Sequence, residues 1–224
     1  MVWNNEKLIK ILTTGGVVVM PTDTIYGIVG RAEDENTVGR IYKIRKRIPE
    51  KPCIILIGDI DELRKFSIIL SEKQKVVVNK YWPASPNPGG SLNPMQKIST
   101  PMSIVFDCPD ESLAYLHRGT KTLAFRLPYP LSLRDLLLKT GPLIAPSANP
   151  EGLPPAQTIA EAKAYFEDSV DPVRSRPRKA SATATLGRPA SNGVDLYLDG
   201  GLVMDKASRV IKLHKDGSIS ILRE

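Results

Sequence analysis

Apolar positions change period several times along this chain, and each change marks an element. Leu8, Ile11 and Leu12 recur at spacings of three and four, which predicts a helix over residues 6–13 closed by Gly15-Gly16. Val17-Val18-Val19-Met20 is an unbroken apolar run, as in a strand buried on both faces, and it is expected to halt at Pro21. After Thr22-Asp23-Thr24 a second apolar run, 25–29, predicts another strand. Val38, Ile41 and Tyr42 give an amphipathic helix over 34–46, and 53–57 is a short, wholly apolar strand. Ser71-Glu72-Lys73-Gln74 is a capping box that opens a helix towards Tyr81, and Thr158-Ile159-Ala160-Glu161 is a second one, with a helix to about Glu167. Strands are expected at 103–108, 122–127 and 143–145, and a helix at 132–140. Residues 195–199 alternate as a strand before Gly200-Gly201, and 208–213 and 218–222 flank Asp216-Gly217 as a terminal hairpin. Strands and helices mixed without strict alternation predict an α/β or α+β sheet protein.

Two stretches break this patterning. Residues 84–101 are rich in proline and glycine, residues 170–193 in serine, alanine, threonine, proline and arginine, and both read as mobile loops. They also hold most of the basicity. The chain of 224 residues has a net charge of +7, and 170–193 carries five cations against the single acid Asp171. The total charge therefore says less about a polyanionic partner than the positions of a few cations within the folded part. The length suits one domain. Apolar runs are too short for a membrane span, and the first residues lack a basic stretch followed by an apolar one, so a cytoplasmic location is expected, with no membrane partner. Cys53 and Cys108 lie in strand-like runs and are expected as buried free thiols. Cysteine and histidine spacing for zinc is missing, as are a nucleophilic triad around His117 or His214 and a Gly-x-x-x-x-Gly-Lys phosphate loop.

Four constellations carry candidate chemistry. Thr22-Asp23-Thr24 follows a strand, at the carboxyl end where open sheets place ligands, and offers hydroxyls and backbone amides. Arg45-Lys46-Arg47 stands near a helix end, where two forked guanidinium groups suit a triphosphate or a carboxylate. Ala145-Pro146-Ser147-Ala148-Asn149 repeats the strand, proline and polar turn sequence with small residues that admit close approach to a phosphate. Arg126 is a lone cation inside an apolar strand, which calls for an internal acid or a ligand. Read singly, the first and third are also ordinary polar turns, and the second is a solvated helix end with cations placed to suit the dipole.

Taken in order, these residues resemble the YrdC family of threonylcarbamoyl-AMP synthases. The resemblance rests on residues 15–27, the cation cluster before Lys51-Pro52, Tyr81-Trp82-Pro83, Phe125-Arg126-Leu127-Pro128, Ala145-Pro146-Ser147-Ala148-Asn149, Leu198-Asp199-Gly200-Gly201 and Ile221-Leu222-Arg223. It spans nearly all of the chain outside 84–101 and 170–193, and describes a single YrdC-like domain with those two segments as additions. It implies a twisted mixed sheet flanked by helices around a central basic cavity. The implied reaction turns L-threonine, bicarbonate and ATP, the last with Mg2+ and no metal held by the protein, into threonylcarbamoyl-AMP and pyrophosphate. The product would feed threonylcarbamoyladenosine formation in tRNA through a separate transferase complex. The family's Lys-x-Arg and Ser-x-Asn signature falls on Arg45, Arg47, Ser147 and Asn149 as catalytic positions. Thr22, Thr24, Arg126, Ala145 and Ser208 fall on threonine-contacting positions. Arg45, Arg47, Thr122, Ser147 and Arg223 fall on ATP-contacting ones.

Three departures stand out. Arg45 replaces the family's lysine, Leu56 stands where many members have histidine, and the late Ser-Thr pair reads Ser208-Arg209. Two other functions remain open to such a chain. One is a double-stranded RNA or tRNA-binding module without catalysis, working through 170–193. The other is a carbamoyl transferase that uses carbamoyl phosphate.

Overall fold

The computed structural model describes residues 2–82, 101–167 and 193–224. The expectations for 84–100 and 170–192, including an RNA-binding role for the latter, lie outside the described residues. The described residues contain no helix long and apolar enough to cross a membrane.

Among the described residues nine strands form one mixed sheet: β1 (Val18–Pro21), β2 (Tyr26–Arg31), β3 (Ile54–Leu56), β4 (Met102–Asp107), β5 (Thr122–Arg126), β6 (Leu143–Ile144), β7 (Leu196–Tyr197), β8 (Arg209–Leu213) and β9 (Ile219–Arg223), in the order β7-β1-β2-β6-β3-β5-β4-β8-β9. The helices are α1 (Glu6–Thr13), α2 (Glu35–Arg45), α3 (Glu72–Tyr81), α4 (Ala114–His117), α5 (Leu131–Thr140) and α6 (Ile159–Glu167). The sheet is twisted and open, with helices on both faces, as the family resemblance implied, and the sequence pattern had led us to expect an α/β or α+β sheet protein. The pleat explains the unbroken run at 17–20. Val18 and Met20 pack with Leu8 and Leu12 of α1 and with Leu133, Leu136 and Leu137 of α5. Val17 and Val19 point the other way, into a larger core with Ile41, Phe66, Val78, Phe106 and Phe125.

Local chemistry sets the helix boundaries. The Asn5 side chain accepts from Leu8 N, and Asp34 accepts from the amides of Asn36 and Thr37. Both halves of the Ser71 capping box form. At Thr158 only one half does: its hydroxyl accepts from Glu161 N at 3.2 Å, whereas the Glu161 carboxylate reaches Gln157 N at 2.8 Å. The chain turns from α1 into β1 at Gly15, with φ +80, and Gly16, where a Cβ would lie 2.4 Å from Ile11 Cγ2. The expected halt at Pro21 falls one residue late. Pro21 closes β1 as the partner of Tyr26, and residues 22–25 are a hairpin loop closed by Thr22 N donating to Ile25 O at 3.1 Å. The helical turns at Ile60–Phe66, Glu111–Leu113 and α4 have no clear period in the sequence, because each is a turn or two long.

Tertiary anchors bring the C-terminal segment back to β1. Asp195 accepts from Val17 N at 2.7 Å and from Arg40 at 2.8 Å, and so holds the two-residue strand β7 in place. The buried Tyr26 hydroxyl donates to Gly201 O at 2.8 Å and accepts from Gly200 N at 2.9 Å, fixing the Asp199-Gly200-Gly201 turn. In the larger core, Phe125 stacks edge-on to Phe66 at 5.1 Å and lies 6.2 Å from Phe106, which packs on Trp82. Replacing Phe125 by alanine is expected to lower the unfolding free energy by about 3–5 kcal/mol in urea denaturation, since it empties a fully buried aromatic site. A loss below about 1 kcal/mol would show that the core collapses to fill it.

Candidate functional site

A cavity of about 620 Å³ opens where the hairpin loop after β1, the end of α2, the loop after β6 and the starts of β3 and β8 converge. Helix α2 ends in Arg45, and Lys46 follows with φ 51, a left-handed cap that reverses the chain. That single turn places Arg45 and Arg47 on one wall, both lining the cavity, and leaves Lys46 exposed. Arg45 is 2% exposed. Its Nε donates to Asn149 O at 2.8 Å, and its Nη2 donates to Asn149 Oδ1 at 3.2 Å and Ser147 Oγ at 3.3 Å. The Asn149 amide in turn donates to the carbonyls of Pro150 and Leu153. Asn149 thus holds the loop after β6 in shape around the Arg45 guanidinium.

Arg47 is committed to its own turn. Its Nε donates to Lys51 O at 3.0 Å and its Nη2 to Pro52 O at 2.8 Å, while Nη1 lies 3.4 Å from Glu151 Oε2. Lys51 reaches Glu151 Oε1 at 2.9 Å.

Arg126 lines another part of the cavity. It closes β5, in register with Leu56 of β3 and Ser103 of β4. Its Nη2 pairs with Asp23 Oδ1 at 2.8 Å, with both side chains 5% exposed. Weaker contacts run from Nη2 to Thr22 Oγ1 at 3.5 Å and from Nη1 to Ser208 Oγ at 3.4 Å. Arg126 therefore has an internal acid and also lines the cavity, so the two readings of this lone cation are compatible. Thr22 and Thr24 share a hydroxyl hydrogen bond of 3.1 Å, and Thr22 Oγ1 accepts from Thr24 N. Ser208, wholly buried, shares a hydrogen bond with Ser103 at 2.8 Å, and its carbonyl accepts from Nε and Nη2 of Arg223.

Burial shapes the protonation of this site. Removal from water, helped by the neighbouring Arg47 charge, pushes Arg45 down to about 10, which leaves it charged at neutral pH. Burial pushes the Tyr42 phenol up to about 12 and raises the Cys53 thiol, which also lines the cavity. The Lys51 ammonium draws the Glu151 carboxyl below its ordinary value. Arg223 is lowered, by burial and then by Arg126.

Of the residues expected to form a site, Thr22, Thr24, Arg45, Arg47, Arg126, Ala145, Ser147, Asn149, Ser208 and Arg223 line this one cavity. Thr122 is not among them. It starts β5, with its hydroxyl bonded to Thr120, four residues and about 13 Å of strand from Arg126. Leu56 is core, packed with α5. Sequence reasoning missed Lys51 as a lining group and Glu151 altogether. Lys51 figured only in the Lys51-Pro52 turn and Glu151 in no motif, and the four cation and acid positions come together only across about a hundred residues of chain. Both cysteines are free and buried, as expected.

The family model for Sua5, YciO and YrdC, described as telomere recombination, matches residues 10–185. The chain belongs to this Sua5/YciO/YrdC family. Similar proteins include the threonylcarbamoyl-AMP synthase of Bacillus subtilis, 29% identical over 94% of this chain and 57% of the relative. The protein of the same name from Pseudomonas fluorescens is 27% identical over 84% of this chain and 98% of the relative. Among solved structures, P. abyssi Sua5 complexed with L-threonine has a TM-score of 0.71 and 22% identity, covering 100% of this chain and 54% of that one. The chain thus spans little more than half of the Bacillus and P. abyssi proteins. The YrdC-like fold expected from the sequence is the fold of these structures.

One expected outcome concerns the Arg126 ion pair and another the Tyr42 phenol, whose ring lies under Arg47. Asp23→Ala strands the Arg126 charge in a buried site and is expected to cost about 3–5 kcal/mol of stability in chemical denaturation. No measurable loss would mean that Ser208 and Thr22 compensate Arg126 unaided. The second concerns alkaline pH. The folded chain keeps the Tyr42 proton up to about 12, whereas the unfolded chain releases it near 10, so stability falls as pH rises between those values. Tyr42→Phe is expected to make the decline of unfolding free energy between pH 10 and 12 shallower, and an unchanged slope would contradict the assignment.

Proposed function

We propose that this chain is an L-threonylcarbamoyladenylate synthase, a nucleotidyltransferase that makes threonylcarbamoyl-AMP and pyrophosphate for the threonylcarbamoyladenosine modification of tRNA. One observation carries the reading: a single cavity has two cationic walls of different character. The Arg45, Arg47 and Lys51 wall suits a polyphosphate. The Arg126 wall, rimmed by the Thr22 and Thr24 hydroxyls, suits the carboxylate and hydroxyl of a small amino acid. The names of the B. subtilis and P. fluorescens relatives and the threonine bound in the P. abyssi structure support it.

The reaction needs no protein nucleophile. The threonine amine and bicarbonate give a carbamate with loss of water. A carbamate oxygen then attacks the α-phosphorus of ATP, forming the new P–O bond as the bond to pyrophosphate breaks. The chain's part is to hold both substrates in line and to set fixed positive charge where negative charge gathers on the phosphates. Arg126 and Thr24 grip threonine, with Ala145 and Ser208 bounding its site. Arg45 and Arg47 face the phosphates, Ser147 offers its hydroxyl to phosphate or carbamate oxygens, and Asn149 keeps Arg45 aligned. Arg223 bounds the nucleotide. Mg2+ enters as the counter-ion of ATP; among the described residues no cluster of three or more histidine, cysteine, aspartate or glutamate side chains stands ready for a metal. The chain is read as one YrdC-like domain acting in the cytoplasm and passing its product to a tRNA-modifying transferase complex.

The test is pyrophosphate release with L-threonine, bicarbonate and Mg-ATP, each omitted in turn. Release is expected only with all three present. Arg45→Met is expected to lower kcat by about a hundredfold, in line with loss of one fixed charge at a developing anion. Arg126→Met is expected to raise the threonine KM more than it lowers kcat. Release that does not depend on threonine, or turnover of carbamoyl phosphate in its place, would reject the synthase reading in favour of a carbamoyl transferase.

A further inference from the structure

Among the described residues lining the cavity, Glu151 is the only carboxylate, set against Arg45, Arg47, Lys51, Arg126 and Arg223. It stands where a phosphate would be expected to bind, and it fits that place poorly. Its Oε1 is within 2.9 Å of Lys51, but its Oε2 lies 3.4 Å from Arg47 and 3.9 Å from Arg45 Nη1. Arg45 Nη1 is buried, with the side chain 3% exposed, and has no hydrogen-bond partner among the described residues. A charged donor left in that state is costly, and a closer anion would relieve it. The Glu151 backbone is fixed, since its N–H donates to Arg45 O at 2.8 Å. Its side chain is 20% exposed, and displacing it requires only rotation about its own bonds.

We infer that Glu151 is an internal competitor for the phosphate wall and acts as a specificity filter. An incoming polyphosphate displaces its carboxylate, takes over Arg47 and Lys51, and closes the gap at Arg45 Nη1. The inference rests on the proposed polyphosphate-binding role of this wall. A carboxylate carries one charge on two oxygens, whereas a terminal phosphate carries up to about two charges on three oxygens. A singly charged anion gains little by replacing Glu151, but a polyphosphate gains both charge and reach. The reaction proposed above brings two singly charged anions, bicarbonate and the threonine carboxylate, into the same cavity. Glu151 keeps them off the wall meant for phosphate.

The test is calorimetric binding of inorganic tripolyphosphate, and competition by acetate, in the wild-type chain and in Glu151→Gln. The variant keeps the shape and loses the charge. It is expected to bind tripolyphosphate roughly tenfold more tightly, and to bind acetate measurably where the wild type does not. Equal or weaker tripolyphosphate binding by Glu151→Gln would overturn the inference, because Glu151 would then organise the cations rather than compete for them. So would absence of binding in both proteins. Should Glu151→Gln fail to fold, Glu151→Asp, whose carboxylate is withdrawn by one methylene, decides the matter: tighter binding than wild type supports the inference and unchanged or weaker binding overturns it. Because tripolyphosphate binding involves no threonine, a wild type that binds it yet releases no pyrophosphate would reject the proposed reaction and leave this inference standing.

Discussion

The guanidinium groups of Arg45 and Arg126 are almost wholly removed from water, and the architecture of the cavity follows from the need to compensate them. Arg45 and Arg126 are 2% and 4% exposed. An isolated buried cation is too costly to persist, so each is surrounded by acceptors drawn from distant parts of the chain. Arg126 takes Asp23 from the hairpin loop after β1 and a hydroxyl from Ser208 ahead of β8. Arg45 takes the carbonyl and side chain of Asn149 and the hydroxyl of Ser147 from the loop after β6. The loops that form the walls are held in place by the charges they enclose.

The compensation is incomplete, and the incompleteness has chemical meaning. Among the described residues, the buried Arg126 Nε and Arg45 Nη1 have no hydrogen-bond partner. Such donors are held in reserve by a rigid frame: the aromatic packing around Phe125 fixes β5 behind Arg126, and the left-handed residue Lys46 fixes the end of α2. A frame of this kind presents fixed positive charge to an incoming anion, and the Glu151 side chain is what has to move.

The fold serves this arrangement through long-range ties. The sheet carries the cavity elements on β1, β6, β5, β3 and β8, none of them adjacent in sequence order to all the others. Tyr26 and Asp195 tie residues 195–201 to β1 and its hairpin, and the strands that follow bring Ser208 beside Arg126 and Arg223 beside Ser208.

The period of apolar residues, taken alone, determined nearly every element of the sheet and its main helices, because burial on one or both faces of a strand or helix leaves its mark locally. The terminal hairpin, the Ser71 cap and the order of motifs that revealed the family were all legible from neighbouring residues. Pro21 misled by a residue, since a proline that ends a strand still pairs through its geometry with the residue opposite. The short helical turns escaped because a turn or two displays no period. Only the tertiary structure decided which polar residues share a cavity. It separated Thr122 from the site by the length of β5, put Leu56 in the core, occupied Arg47 with the carbonyls of its own turn, and placed Glu151 among three cations. The reason is physical: secondary structure answers to neighbours within a few residues, whereas the charge on Arg45 or Arg126 is balanced by whichever acceptors the folded sheet delivers from about a hundred residues away.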